Sequence, residues 1–74
     1  MKKIEIKTEY IKLDQLLKWA GIVGLGSDAK LIIKNGDVKV NGEVVTQRGK
    51  KIYPKDIVSV NDVGSFEIVR VEEK

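Results

Sequence analysis

The stretch from Asp37 to Val45, Asp37-Val38-Lys39-Val40-Asn41-Gly42-Glu43-Val44-Val45, constrains the fold of this chain more than any other. Val38 and Val40 alternate with Asp37 and Lys39, which is the period of a strand with one buried face. Asn41-Gly42 then tolerates positive φ at two successive residues, as the tight turn of a hairpin requires. Glu43-Val44-Val45 is the returning strand. A hairpin alone is marginal in water, so the remaining residues must cover its valine face.

The flanking segments read as further short elements. Ile4 and Ile6 alternate with Lys3, Glu5 and Lys7, a half-buried strand whose charged positions suit an exposed edge. Leu13, Leu16, Leu17 and Ala20 recur at helical spacing, and Gly21 stands where a left-handed cap needs no β-carbon, so a two-turn helix ends at Ala20. After Gly24 and Gly26 a second helical pattern runs through Ala29, Ile32 and Ile33 and is closed by Asn35-Gly36. Asp28 in its first turn and Lys34 in its last both complement the helix dipole. Beyond the hairpin, Tyr53-Pro54-Lys55-Asp56 reads as a turn, Ile57 to Val60 as a strand, Asn61 to Ser65 as a turn and Phe66 to Val71 as the final strand. The order is therefore a strand, two helices and four short strands.

Seventy-four residues suffice for one domain, expected to span residues 1–74, and no repeat or linker divides them. The chain has no cysteine and no histidine, which removes disulfides, thiolate metal sites and the commonest general base. No carboxylates, lysines or hydroxyls fall at a spacing that defines a catalytic site, so no enzyme, metal or cofactor is expected. No apolar run approaches the ~20 residues of a membrane span. Charges interrupt the apolar residues of Met1-Lys2-Lys3-Ile4-Glu5-Ile6-Lys7 before a signal-peptide core forms, which argues for a cytoplasmic setting.

The net charge of +3 is unevenly placed. Residues 12–55 carry nine lysines and arginines against four acidic residues, whereas residues 56–74 carry two against five. That division suggests a polyanion-facing surface in the middle of the chain and a separate solvated one.

Lys12-Leu13-Asp14, Ala29-Lys30, Ile32-Ile33 and Gly36-x-Val38-x-Val40-Asn41-Gly42 together resemble the RNA-binding module of ribosomal protein S-four, the alpha-L motif, over about residues 11–60. The Gly-x-Val-x-Val-Asn-Gly element of that family is matched fully. Two positions depart from it. Lys12 stands where the family opens its first helix with arginine, keeping the charge but not the bidentate fork, and Leu25-Gly26 stands where a Ser-Arg pair opens the second. The segment Thr46-Gln47-Arg48-Gly49-Lys50-Lys51 resembles the basic loop of the stand-alone bacterial YaaA-type branch. The resemblance implies an α+β fold, two short helices packed on a small, mostly antiparallel sheet with an N-terminal strand. It also implies binding of structured RNA, ribosomal RNA foremost, by a monomer with ribosomal proteins as further partners.

The expected RNA-binding residues are Lys12, Lys30, Lys34, Arg48, Lys50 and Lys51. Lys30 and Lys34 are spaced i, i+4 and lie roughly 125° from the stripe of Ala29, Ile32 and Ile33, so they face away from the core. Their ordinary alternative is a solvated helix face. Arg48, Lys50 and Lys51 surround Gly49, which allows a tight loop; the alternative is a mobile hairpin connection. Trp19 lies about 110° from the apolar stripe of the first helix and reads either as a boundary residue under a loop or as a base-stacking platform. Leu31 points away from the other apolar residues of its helix and either packs on a strand or lies exposed. Asn41-Gly42 is explained by its turn, and Asp14 by support of the first helix's start.

A competing function is a protein-interaction or assembly factor on the ribosome, using Trp19, Leu31 and the acidic last third. A ubiquitin-like sulfur carrier needs a terminal Gly-Gly, and this chain reads Val71-Glu72-Glu73-Lys74 at that end.

Overall fold

The charged alternation at the amino terminus does produce an edge strand. In the computed structural model, which describes residues 1–72, β1 (Lys2–Ile6) buries Ile4 and Ile6 and exposes Lys2, Lys3 and Glu5. Two-residue β2 (Ile11–Lys12) leads directly into α1 (Leu13–Trp19). There Ala20 is the C-cap and Gly21 takes φ +73°, the left-handed conformation its lack of a β-carbon permits. The second helix, α2 (Gly26–Lys34), starts three residues ahead of its apolar pattern, with Leu25 as an extended N-cap and Asn35 as the C-cap.

The hairpin forms as its sequence demands. β3 (Val38–Val40) and β4 (Glu43–Val44) join through Asn41 at φ 51° and Gly42 at φ 86°. β5 (Lys51–Ile52), β6 (Ile57–Val60) and β7 (Gly64–Arg70) follow. The main sheet has the order β1-β7-β6-β3-β4. Only the β1–β7 pair is parallel, with Ile4 opposite Ile68; the other neighbours are antiparallel.

Leu13, Leu16 and Leu17 of α1 and Ala29 and Ile33 of α2 pack on one face of this sheet, against Ile4, Ile6, Val38, Val40, Val58, Val60 and Ile68. Ile52 of β5 completes the core. The period-two and helical patterns of the sequence converge here, and among the described residues no polar or charged side chain is buried. Seven-residue α1 is too short to persist alone in water, so this burial is what holds it.

Two strands were not anticipated. β2 and β5 form a separate antiparallel ladder, Ile11 opposite Ile52 and Lys12 opposite Lys51. Two residues per strand are too few for alternation to be seen, and Lys51, read from sequence as the end of a polar loop, is part of this ladder. The acidic last third includes Glu73, and the chain's final residue is Lys74; both lie outside the described residues.

Candidate nucleic-acid interface

The position of the basic loop is set at the head of α1. No side chain caps that helix; Lys12 is its N-cap residue and makes no side-chain cap bond. Instead, the Leu13 N–H donates to the Lys50 carbonyl at 2.9 Å and the Asp14 N–H to the Arg48 carbonyl at 3.1 Å. Two of the amides that every helix start leaves without an intrahelical partner are thus satisfied by the main chain of the loop. Asp14 itself lies in the first turn and accepts from the Gln15 N–H at 2.8 Å, so it supports the helix start through local bonding and dipole rather than as the cap.

Because its carbonyls point inward to the helix, the loop turns its side chains outward. The Lys50 N–H donates to the Gln47 carbonyl at 3.2 Å, closing a turn with Arg48 and Gly49 at its tip. Gly49 does not take positive φ, and a β-carbon added there would meet nothing within 4 Å. The tight loop therefore does not depend on glycine's conformational freedom, contrary to the reason the sequence suggests for Gly49.

Folding brings Lys30 and Lys34 of α2 together with Thr46, Gln47, Arg48 and Gly49 around one open depression of about 430 Å³. All three cationic side chains are exposed. Lys12 and Lys51 form a second pair, directly opposite each other on the β2–β5 ladder. Like charges so placed repel, and the Lys51 ammonium lies over the Tyr10 ring, 4.9 Å from its centroid. Tyr10 in turn contacts Tyr53 at a ring separation of 5.8 Å. Lys50, between the two groups in sequence, is exposed and anchors the loop by its carbonyl. The six expected residues thus come from three segments, β2, α2 and the loop from Arg48 into β5, and split into two clusters.

Lys18 was not singled out from sequence. A β-carbon built on Gly26 would meet the Lys18 Cδ at 3.8 Å, so the stem of this exposed lysine runs past the place where the S-four-type pattern has its arginine. Only the packing of α1 against α2 reveals this.

Trp19 is 64% exposed, with its indole N–H donating to the Glu5 carbonyl at 2.8 Å, and is not covered by a loop as its boundary reading required. Leu31 is 59% exposed, which settles its placement in favour of solvent. Asn41 does more than turn the chain. Its amide donates to the Asp56 carboxylate at 3.1 Å and its oxygen accepts from the Ile57 N–H at 2.9 Å, tying the hairpin to the Tyr53–Asp56 turn. Among the described residues no helix is long and apolar enough to cross a membrane and no group of acidic residues could hold a metal.

Residues 4–69 match the family model described as the S4 domain. The chain is 41% identical over 66 residues to a probable ribosome maturation protein, RlbA, of Bacillus subtilis, covering 89% of this chain and 93% of that protein. It is 33% identical over 70 residues to a tyrosine–tRNA ligase of Nitrosomonas europaea, covering 95% of this chain but only 17% of the ligase. The solution structure of YbcJ from E. coli, described as having an αL motif involved in RNA binding, superimposes with a TM-score of 0.71. That superposition has 34% sequence identity and covers 93% of this chain and 87% of YbcJ.

Proposed function

The chain belongs to the S4 domain family, and from that premise we propose that it binds structured RNA, ribosomal RNA or a ribosomal particle, without catalysing a reaction on it. The observation that carries this reading is the convergence of Lys30, Lys34 and Arg48 on one open depression. Phosphate groups along an RNA backbone supply the charge that such a cluster lacks. Cations held on a helix and a docked loop displace the condensed counterions of a polyanion without first having to be ordered. Lys50 in the loop and Lys12 and Lys51 on the β2–β5 ladder add further exposed positive charge. The likeness to a protein named for ribosome maturation supports a ribosomal target, and the small number of base-reading side chains among these residues supports recognition by shape and backbone.

The test is a titration of ribosomal RNA with the chain at several salt concentrations. If ~3–5 phosphates are neutralised, log affinity falls with log salt at about −0.7 to −0.9 per contact. Reversing Lys30, Lys34 and Arg48 together to glutamate flattens that slope by at least about 2 units. Unchanged affinity and slope in the triple variant overturn the assignment. Association with ribosomal particles that survives both high salt and ribonuclease favours instead a protein partner for Leu31 and its surroundings.

A further inference from the structure

The chain has one tryptophan, and it sits in an unusual way. A tryptophan that serves packing hides its ring, and one left loose in solvent has no fixed orientation. Trp19 does neither. Its polar edge is engaged with the Glu5 carbonyl of β1 while 64% of the residue stays exposed. The backbone of α1 fixes one end of the side chain and the hydrogen bond fixes the other, so the ring is held with its apolar surface toward solvent. With its N–H satisfied internally, what the ring can offer a partner is its π-face.

The other aromatic rings are already used. Tyr10 lies beneath the Lys51 ammonium and against Tyr53, and Phe66 packs partly buried on the core. Trp19 is the exposed aromatic side chain among the described residues that is not taken up in the Tyr10–Tyr53–Lys51 group.

Its surface is also continuous with the basic face. Gln15 and Trp19, at i and i+4, share one face of α1, and Lys12 stands immediately before its first turn. Ile11 and Gln15 line both the depression that holds Lys18 and Trp19 and the one beside Tyr10 and Lys12. Lys12 is the N-cap of α1 and Trp19 its last residue, so the two lie about 10 Å apart along the helix axis, a span of a few nucleotides.

We propose that Trp19 is a stacking platform for one unpaired base of the bound RNA, with Lys18 beside it to contact the flanking phosphate and Gln15 to reach the base edge. This rests on the reading of Lys30, Lys34 and Arg48 as an RNA-binding face and narrows its ligand. The preferred RNA is a helix interrupted by, or ending in, an unpaired nucleotide a few steps from the phosphates gripped by Lys12 and the loop. Stacking of a base on an aromatic side chain commonly contributes about 5- to 150-fold in affinity by alanine substitution.

The tryptophan itself provides the readout. The probes are a 16-base-pair RNA duplex and the same duplex with one bulged adenosine, followed by RNA anisotropy and by tryptophan fluorescence. Both bind through the basic face; the bulged duplex binds at least about 5-fold more tightly and quenches Trp19, and the perfect duplex does not. Trp19→Ala abolishes the preference and leaves affinity for the perfect duplex unchanged. Trp19→Phe, which keeps a ring but loses the bond to Glu5, retains part of the preference. If the alanine variant loses its helical circular dichroism, the unaltered chain's fluorescence and affinity ratio decide the matter. Equal affinity for the two RNAs without quenching overturns the platform and leaves the basic face standing. Binding of neither overturns the RNA-binding face and the platform with it.

Discussion

The turns at Asn41–Gly42 and Gln47–Lys50 are close in sequence and are held in opposite ways. In the first, both central residues take positive φ and the Asn41 side chain makes two hydrogen bonds, to Asp56 and to the Ile57 amide. In the second, the backbone of Gly49 stays out of the positive-φ region and the bonds are main-chain ones, from Lys50 to Gln47 and from the head of α1 to Arg48 and Lys50. A turn fixed by its side chains has none to offer a partner. A turn fixed by its main chain keeps them, and here those side chains are arginine and lysine. The first turn belongs to the fold and the second to the interface, and substitutions separate the two roles.

The largest effect is expected at Asn41. Asn41→Ala removes both side-chain bonds and places alanine at φ 51°, so urea denaturation should show a loss of about 2–3 kcal/mol. RNA affinity of the folded protein should stay within about 2-fold of the original; a large loss would mean that the first turn also serves the interface.

Arg48→Ala should show the converse. It leaves the carbonyl that accepts from Asp14 in place, so stability should change by less than about 0.5 kcal/mol. The salt slope of RNA binding should fall by about 0.7 to 0.9. Destabilisation beyond about 1 kcal/mol would show that the loop is held by its side chain after all.

Paired glycine substitutions sharpen the contrast. Gly42→Ala puts a β-carbon at φ 86° and should cost about 1 kcal/mol in thermal unfolding. Gly49→Ala meets open space at an ordinary φ and should leave stability within about 0.5 kcal/mol of the original, on the stabilising side. Equal costs at the two sites would remove the distinction.

The smallest effect lies at the neighbouring turn, where Lys55 takes φ 78°. Lys55→Gly relieves that strain while loosening the unfolded chain, and the two effects nearly offset, leaving a stabilisation of about 0.5 kcal/mol. A clear loss in differential scanning calorimetry would mean that the lysine side chain contributes more than its backbone costs.

Most of the fold was legible because its signals are local. The Val38–Val40 alternation, the Asn41-Gly42 dipeptide, the leucine spacing of α1 and the glycine after each helix act within a few residues, and each produced its element. The two-residue strands β2 and β5 left no such trace, since they exist only by pairing across Ile11–Ile52 and Lys12–Lys51. Candidate site residues were legible as charge types but not as a geometry. Lys30 and Lys34 share a face by helical period alone, whereas their meeting with Arg48 depends on how the loop packs. Lys18 was missed because nothing local connects it to Gly26.

What the sequence by itself determined was the order of elements, the buried faces and the cationic middle of the chain, all consequences of periodicity, turn chemistry and composition. Tertiary structure alone decided that the loop from Thr46 to Lys51 docks on the head of α1, that its cations divide into two clusters, and that Trp19 faces solvent with its N–H engaged. The physical reason is common to all three. Each depends on a main-chain carbonyl or amide supplied by a distant segment, and every residue type carries those groups, so no residue identity marks where they will be used.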